Sequence, residues 1–258
     1  MSDMQELLPL LKRLRMSGIL DNLDDTVKNA MKEKWSYTQL LLQLFSGEAE
    51  RRDQKQYHFR LSRSHLDHEK TIQTYDFNFN RSIPQSLIKE LCQCNFIEKQ
   101  ENIFLVGPSG VGKTHLANAI GHEACRKGYQ VLIDRTSELL EWLHSGKGDA
   151  SFQRRKEAII KVPLLILDDF GLIPLNGNQQ IYLYDIISYR YEKYSTIITS
   201  NRDFDEWINV FDNPLIGSAA MDRLVHKAIK LVIEGESYRS FNFKNNQKKL
   251  MNKVAIKA

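Results

Sequence analysis

Apolar positions along this chain change their period once. Through residues 1–70 they recur at helical spacing: Leu7, Leu8, Leu11 and Leu14 make one face, and Ile19, Leu23, Val27 and Met31 make a second. Ser36 followed by Gln39 is a capping-box start for a third helix, with Leu40, Leu41, Leu44 and Phe45 on its core side. That helix is expected to run through Glu48-Ala49-Glu50-Arg51-Arg52-Asp53 toward Tyr57, Phe59, Arg60 and Arg63. Residues 66–84 are polar and end at Arg81-Ser82-Ile83-Pro84, which reads as a linker. From about residue 85, short apolar runs alternate with amphipathic stretches. Strands are expected at 103–107, 130–134, 164–168 and 195–199, with helices between them. The alternation predicts an α/β fold with a mostly parallel sheet and helices on both faces, its ligand site at the carboxyl ends of the strands. The expected organisation is a helical segment 1–70, a linker 71–90, an α/β domain 91–243 and a basic tail 244–258.

Composition adds little until its distribution is considered. In 258 residues, 42% apolar and 26% charged, nothing departs from an ordinary globular chain. No run of 18 apolar residues occurs and the first residues lack signal-peptide character, so a cytoplasmic protein without a membrane partner is expected. Cys92, Cys94 and Cys125 are odd in number and lack C-x-x-C spacing, which favours plain thiols over zinc ligands. The net charge is only +4, yet beyond Tyr238 stand Arg239, Lys244, Lys248, Lys249, Lys253 and Lys257 with no acid. Such a tail suits either solvation or non-specific contact with nucleic-acid phosphates. Residues 1–80 are balanced, twelve basic against twelve acidic, so overall charge does not mark that segment as a DNA binder.

The sharpest chemical signal is Gly107-Pro108-Ser109-Gly110-Val111-Gly112-Lys113-Thr114, a match to G-x-x-x-x-G-K-[ST] at every fixed position. By chance a chain of this length would show it on the order of 1% of the time. Ile103-Phe104-Leu105-Val106 precedes it and a helix-forming stretch from His115 follows, the context of a phosphate-binding loop. Backbone N–H groups and the helix N-terminus would cradle phosphates, with Lys113 on the β and γ phosphates and the Thr114 hydroxyl on Mg²⁺. Contacts to ATP are therefore expected from Gly107 through His115.

Leu164-Leu165-Ile166-Leu167 ends in Asp168-Asp169. Carboxylates at the tip of a strand buried on both faces can hold Mg²⁺ (Asp168) and polarise an attacking water (Asp169). Asp169-Phe170-Gly171 matches a kinase signature, but no H-R-D-x-x-x-x-N precedes it and the glycine loop is of another type. Thr196-Ile197-Ile198-Thr199 leads to Ser200-Asn201, which places an amide where it could hold water or sense the γ-phosphate. Arg223 and Arg239 could each reach a γ-phosphate, though from spacing alone each reads rather as a surface salt-bridge partner.

Taken in order, these residues resemble the IstB family of AAA+ ATPases, helpers of a class of bacterial insertion sequences related to the DnaC and DnaI helicase loaders. The resemblance spans nearly the whole chain. It rests on Glu50-Arg51-Arg52, Gly107 through Ala117, Leu164 through Gly171, Arg190-Tyr191, Ile198 through Asn201, Asp222-Arg223-Leu224 and Gly235-x-Ser237-Tyr238-Arg239. It implies that 91–243 is an AAA+ ATPase domain behind a small helical domain that binds DNA or a partner. It makes Lys113 and Thr114 the Walker A pair, Asp168 the Walker B metal carboxylate and Asn201 sensor I. Arg223 becomes the trans-acting arginine finger, Arg239 a sensor II-like contact and Arg190 a helper near a subunit interface. The implied activity is ATP-dependent assembly as a homo-oligomer on duplex DNA, largely without sequence preference, and delivery of that DNA to an IstA-like transposase. Asp169 stands where many AAA+ proteins carry Glu; the shorter arm implies slow hydrolysis, stimulated by DNA or partner. A helicase loader and a nucleotide-dependent switch that barely hydrolyses are the alternatives.

Overall fold

Three of the strands have both their faces covered, and two of them are apolar runs. In the computed structural model, which describes residues 3–80 and 83–245, these are β1 (Asn102–Val106), β3 (Leu164–Asp168) and β4 (Ser195–Ser200), buried almost throughout. β2 (Val131–Arg135) and β5 (Ala228–Val232) are the edges and are only partly buried. All neighbours are parallel, in the order β2-β3-β4-β1-β5. β5 lies outside the four expected strands; Lys230 interrupts its apolar run, which an edge strand tolerates. The register pairs Val106 with Ser200 and Asp168 with Arg135, so the strand tips form one edge.

The chain divides into two compact units, Met1–Phe59 and Arg60–Ala258. The first contains α1 (Asp3–Arg13), α2 (Ser17–Glu33) and most of α3 (Tyr37–Leu61). The Ser36–Gln39 capping box forms in both directions, at 2.8 and 3.2 Å. Its core is small: Leu11, Ile19 and Leu23, ringed by Met4, Met16, Leu20, Val27 and Leu44. Leu7, Leu8, Leu14, Met31, Leu41 and Phe45, expected on apolar faces, are exposed.

In the second unit, α4 (Gln85–Leu91) and α5 (Asn95–Glu98) precede β1. α6 (Lys113–Arg126) lies against one sheet face, where Gly121 admits Ile166 and Leu66. Alternate strand residues Phe104, Val106, Leu165, Leu167 and Ile198 face the other way. They build the main core with α7 (Thr136–Ser145), α8 (Phe152–Lys161), α9 (Gly177–Arg190), the 3₁₀ helix Phe204–Val210 and α10 (Pro214–Val225). α9 starts on an Asn176–Gln179 capping box, and α10 on the Asn213 side chain followed by Pro214.

Residues 60–80 differ from the expected helical end and linker. They form a strap across α6 and the β2 edge. Ile133 N–H donates to Ser64 carbonyl oxygen at 2.9 Å, and Asp67 N–H to Asn118 Oδ1 at 2.9 Å. His122 Nε2 donates to the Asp67 carbonyl and His115 Nε2 to the Thr71 carbonyl, both at 2.9 Å. The strap is polar because the surface it covers is polar: His115, Asn118 and His122 form a stripe on α6, the latter two almost fully buried.

Arg190 also departs from expectation. It is 2% exposed inside the second unit, not on a surface open to another subunit. Its guanidinium donates to the carbonyls of Ile159 (3.0 Å) and Val162 (2.7 Å), to Thr196 Oγ1 (3.1 Å) and to the Ser195 carbonyl. Burial pulls its pKa down to about 9. Arg190 is a structural tie between α8, α9 and β4. Among the described residues, no helix is long and apolar enough to cross a membrane.

Candidate nucleotide site

β1 ends in a loop that needs glycine. Gly110 has φ 83°, and a Cβ there would lie 2.2 Å from Ser237 Oγ, while its carbonyl accepts Tyr238 N–H at 2.9 Å. Gly112 has φ 105°, with the Tyr75 ring where a Cβ would be. α6 then begins at Lys113 with no side-chain cap, so its first N–H groups and positive dipole end face the loop.

Lys113 is 5% exposed and its ammonium donates to the carbonyls of Gly107 and Pro108 and to Asn201 Oδ1, each at 2.7 Å. Burial pulls its pKa below the usual lysine range, against the opposing charges of Asp169 and Asp168. Thr114 Oγ1 donates to Asp168 Oδ1 at 2.8 Å, and Thr199 Oγ1 donates to the same oxygen. Thr136 Oγ1 donates to the Asp168 carbonyl at 3.0 Å. Asp169 adopts φ 51°, with its N–H on Thr199 Oγ1 at 3.1 Å and its carboxylate 3.9 Å from Arg135 Nε. Burial first, then the Asp168 charge, pushes the Asp169 pKa up; Arg135, Lys113 and Arg239 oppose this.

One cleft of about 680 Å³ is lined by Ser109 through His115, Asp168, Asp169, Asn201 and Arg239. A loop of N–H donors with a buried ammonium fits a polyphosphate. The Thr114 hydroxyl and the Asp168 and Asp169 carboxylates are hard oxygen donors, which fit Mg²⁺ held largely through phosphate and water. Arg223 lies elsewhere, half-buried on α10, with Nη1 on the Ala219 carbonyl at 2.7 Å and its guanidinium 5.4 Å from the Tyr184 ring. His115 lines the cleft, but its Nε2 is committed to the strap. Of the basic tail, Arg239 and Lys244 are described; Lys248, Lys249, Lys253 and Lys257 lie outside the described residues.

Sequence reasoning missed the second rank of this site. Thr199 and Thr136, which grip Asp168, sit at or just beyond strand ends and had only that position as a signal. Tyr75 and the strap wall of Asp67, Lys70 and Thr74 fell inside the stretch 66–84 read as a linker, and His65 at the end of the expected helical segment. The polar stripe of α6 was the legible hint.

Comparison with known proteins gives this geometry a lineage. The family model described as IstB-like ATP binding protein matches residues 9–247. A Pseudomonas aeruginosa protein named as an ATP-binding protein of insertion sequence IS21 is 35% identical over 92% of this chain and 89% of its own. A Bacillus thuringiensis subsp. berliner counterpart named for IS232 is 34% identical over 91% and 94%. Among solved structures, the DnaC helicase loader is similar with TM-score 0.57 and 26% identity, covering 65% of this chain and 98% of that one. A DNA replication initiation factor shares the fold, with TM-score 0.58 and 23% identity over 73% of this chain and 57% of its own. The phosphate loop, the strand order and this match over residues 9–247 together assign the chain: it belongs to the IstB-like ATP-binding family of insertion sequences, built on an AAA+ P-loop fold.

Proposed function

We propose that this protein is an ATP-dependent, DNA-binding helper of transposition that works in the cytoplasm. It assembles as a homo-oligomer on target duplex DNA, hydrolyses ATP slowly and delivers the DNA to a partner transposase of the IstA type. The observation that carries the reading is the meeting of Lys113, Thr114, Asp168, Asp169 and Asn201 in one cleft, in a chain of insertion-sequence lineage.

Each residue has a part in that cycle. The loop from Gly107 to His115 takes the triphosphate on its N–H groups, and Lys113 bonds the β and γ phosphates. Thr114 and Asp168 hold Mg²⁺, which when bound neutralises the phosphate charge. Asp169 orients the attacking water; its raised pKa suits a group that accepts a proton. Asn201 steers the Lys113 ammonium toward the γ-phosphate. Arg239 reaches the nucleotide from within the same chain. Arg223 lies outside its own cleft and serves the cleft of a neighbouring copy, which makes assembly a condition of fast turnover.

The test is ATP turnover with and without mixed-sequence duplex, for wild type, Lys113→Ala, Arg223→Ala and Asp169→Glu, beside size exclusion with ATP analogue and DNA. Stimulation by DNA, lost in the Lys113 and Arg223 variants, is expected, with a changed rate in Asp169→Glu. Turnover equal to that of Lys113→Ala under all conditions would support a binding switch instead. No larger species with both ligands would remove the trans role of Arg223. A helicase-loading role is the second reading, favoured by the overlap with the DnaC helicase loader. Co-purification with a replicative helicase rather than a transposase would select it.

A further inference from the structure

The first unit holds a cluster of cations that the nucleotide cleft does not use. On α3, at about 100° per residue, Glu48, Arg51, Arg52 and Lys55 share one side, while Glu50 and Asp53 project from the other. Glu48 is 4% exposed and anchors the group: one carboxylate oxygen accepts Gly18 N–H at 2.6 Å at the start of α2, the other accepts Arg52 Nε at 2.7 Å. Gly18 is what lets it in, since a Cβ there would stand 2.7 Å from the Glu48 oxygen. Arg51 Nε lies 3.8 Å from the same carboxylate.

With their Nε edges held by Glu48, the guanidinium groups reach the α1–α2 turn. Arg51 donates to Ser17 Oγ, and Arg52 Nη2 to the Arg15 carbonyl at 3.3 Å. That turn carries Lys12, Arg13 and Arg15, all exposed. Arg51 and Arg52 therefore lie against one buried carboxylate and touch the turn that carries the exposed Lys12, Arg13 and Arg15, although residues 1–80 as a whole are neutral. A solvated helix face would spread like charges apart; here a buried acid fixes two of them against the α1–α2 turn.

We propose that this cluster, from Arg13 and Arg15 on the turn to Arg51 and Arg52 on α3, is a seat for the backbone phosphates of duplex DNA, with Glu48 as the positioning residue. Preorganised guanidinium forks suit phosphate oxygens, and the contact reads no base, as the duplex-binding reading above requires. The inference rests on that reading. It locates the contact in the helical unit, on residues that are not among those lining the nucleotide cleft.

The test uses the full chain, a labelled mixed-sequence duplex, ATP analogue and a salt titration. Arg13→Ala/Arg15→Ala and Arg51→Ala/Arg52→Ala should each weaken binding by about tenfold or more at moderate salt and lower the salt slope by about 2. Affinity for a fluorescent ATP analogue should be unchanged. The second pair also releases Glu48, so the first pair, whose exposed side chains make no hydrogen bond or ion pair among the described residues, decides if the second unfolds. Unchanged affinity and slope in Arg13→Ala/Arg15→Ala would overturn the proposal. So would variants that keep duplex affinity but lose transposase co-purification, which would make the surface a protein contact. A wild-type chain that binds no duplex would instead overturn the duplex-binding reading itself.

Discussion

Thr199 and Asp168 are joined by a buried hydroxyl–carboxylate hydrogen bond, and the same hydroxyl accepts the Asp169 N–H at 3.1 Å. One β4 side chain thus sets the geometry of both acids at the β3 tip. Thr199→Val keeps the shape and removes both bonds. ATP turnover should fall about 10–100-fold, as expected when the residue orienting a metal-binding carboxylate is lost, while ATP analogue affinity changes far less. Turnover within about twofold of wild type would show that Thr199 does not set the geometry of the acids.

Asn118 ties the strap to the phosphate-loop helix. Its Oδ1 accepts Asp67 N–H and its Nδ2 donates to the Thr114 carbonyl at 2.7 Å. Asn118→Leu fills the space but leaves the Asp67 N–H without that partner. The cost should be about 1–3 kcal/mol in denaturant unfolding, with faster amide exchange confined first to residues 66–75. Exchange that speeds up equally along the whole second unit would contradict a local strap.

Arg190 is a buried cation that bonds carbonyl and hydroxyl oxygens rather than a carboxylate. Arg190→Met should destabilise by about 3 kcal/mol or more, because several buried acceptors lose their donor together. ATP affinity per folded molecule should not change. A stable variant with impaired subunit association would restore the interface role that the sequence resemblance implied.

The cysteines give a pH dependence with a defined sign. Burial pushes Cys92 up to about 11, Cys94 to about 12 and Cys125 to about 11, from an ordinary 9.0. Above about pH 9 the unfolded chain releases thiol protons that the native chain keeps, so stability is full below that pH and declines as pH rises toward 11–12. Urea midpoints at pH 8 and pH 10 should show the decline, reduced in Cys94→Ala. The native thiols should also react slowly with a disulfide reagent at neutral pH. Rapid labelling of Cys94 and Cys125 without denaturant would contradict their burial.

By itself the sequence determined the parts whose physics is local. Gly107 to Thr114 needs its glycines whatever surrounds it, the Leu164–Leu167 run must be buried on both faces, and Ser36 with Gln39 caps a helix from four residues alone. Tertiary structure decided what local pattern cannot encode. Residues 66–80 look like a linker until Asn118 and His122 satisfy their backbone, and Arg190 is implied to stand near a subunit interface until α8 and β4 enclose it. Only the packing of α3 on the α1–α2 turn brings Arg51 and Arg52 to Ser17 and Arg15, about 35 residues away in the chain. Hydrogen-bond partners distant in sequence carry no periodic signal, so polar groups that find them read as solvated until the fold is known.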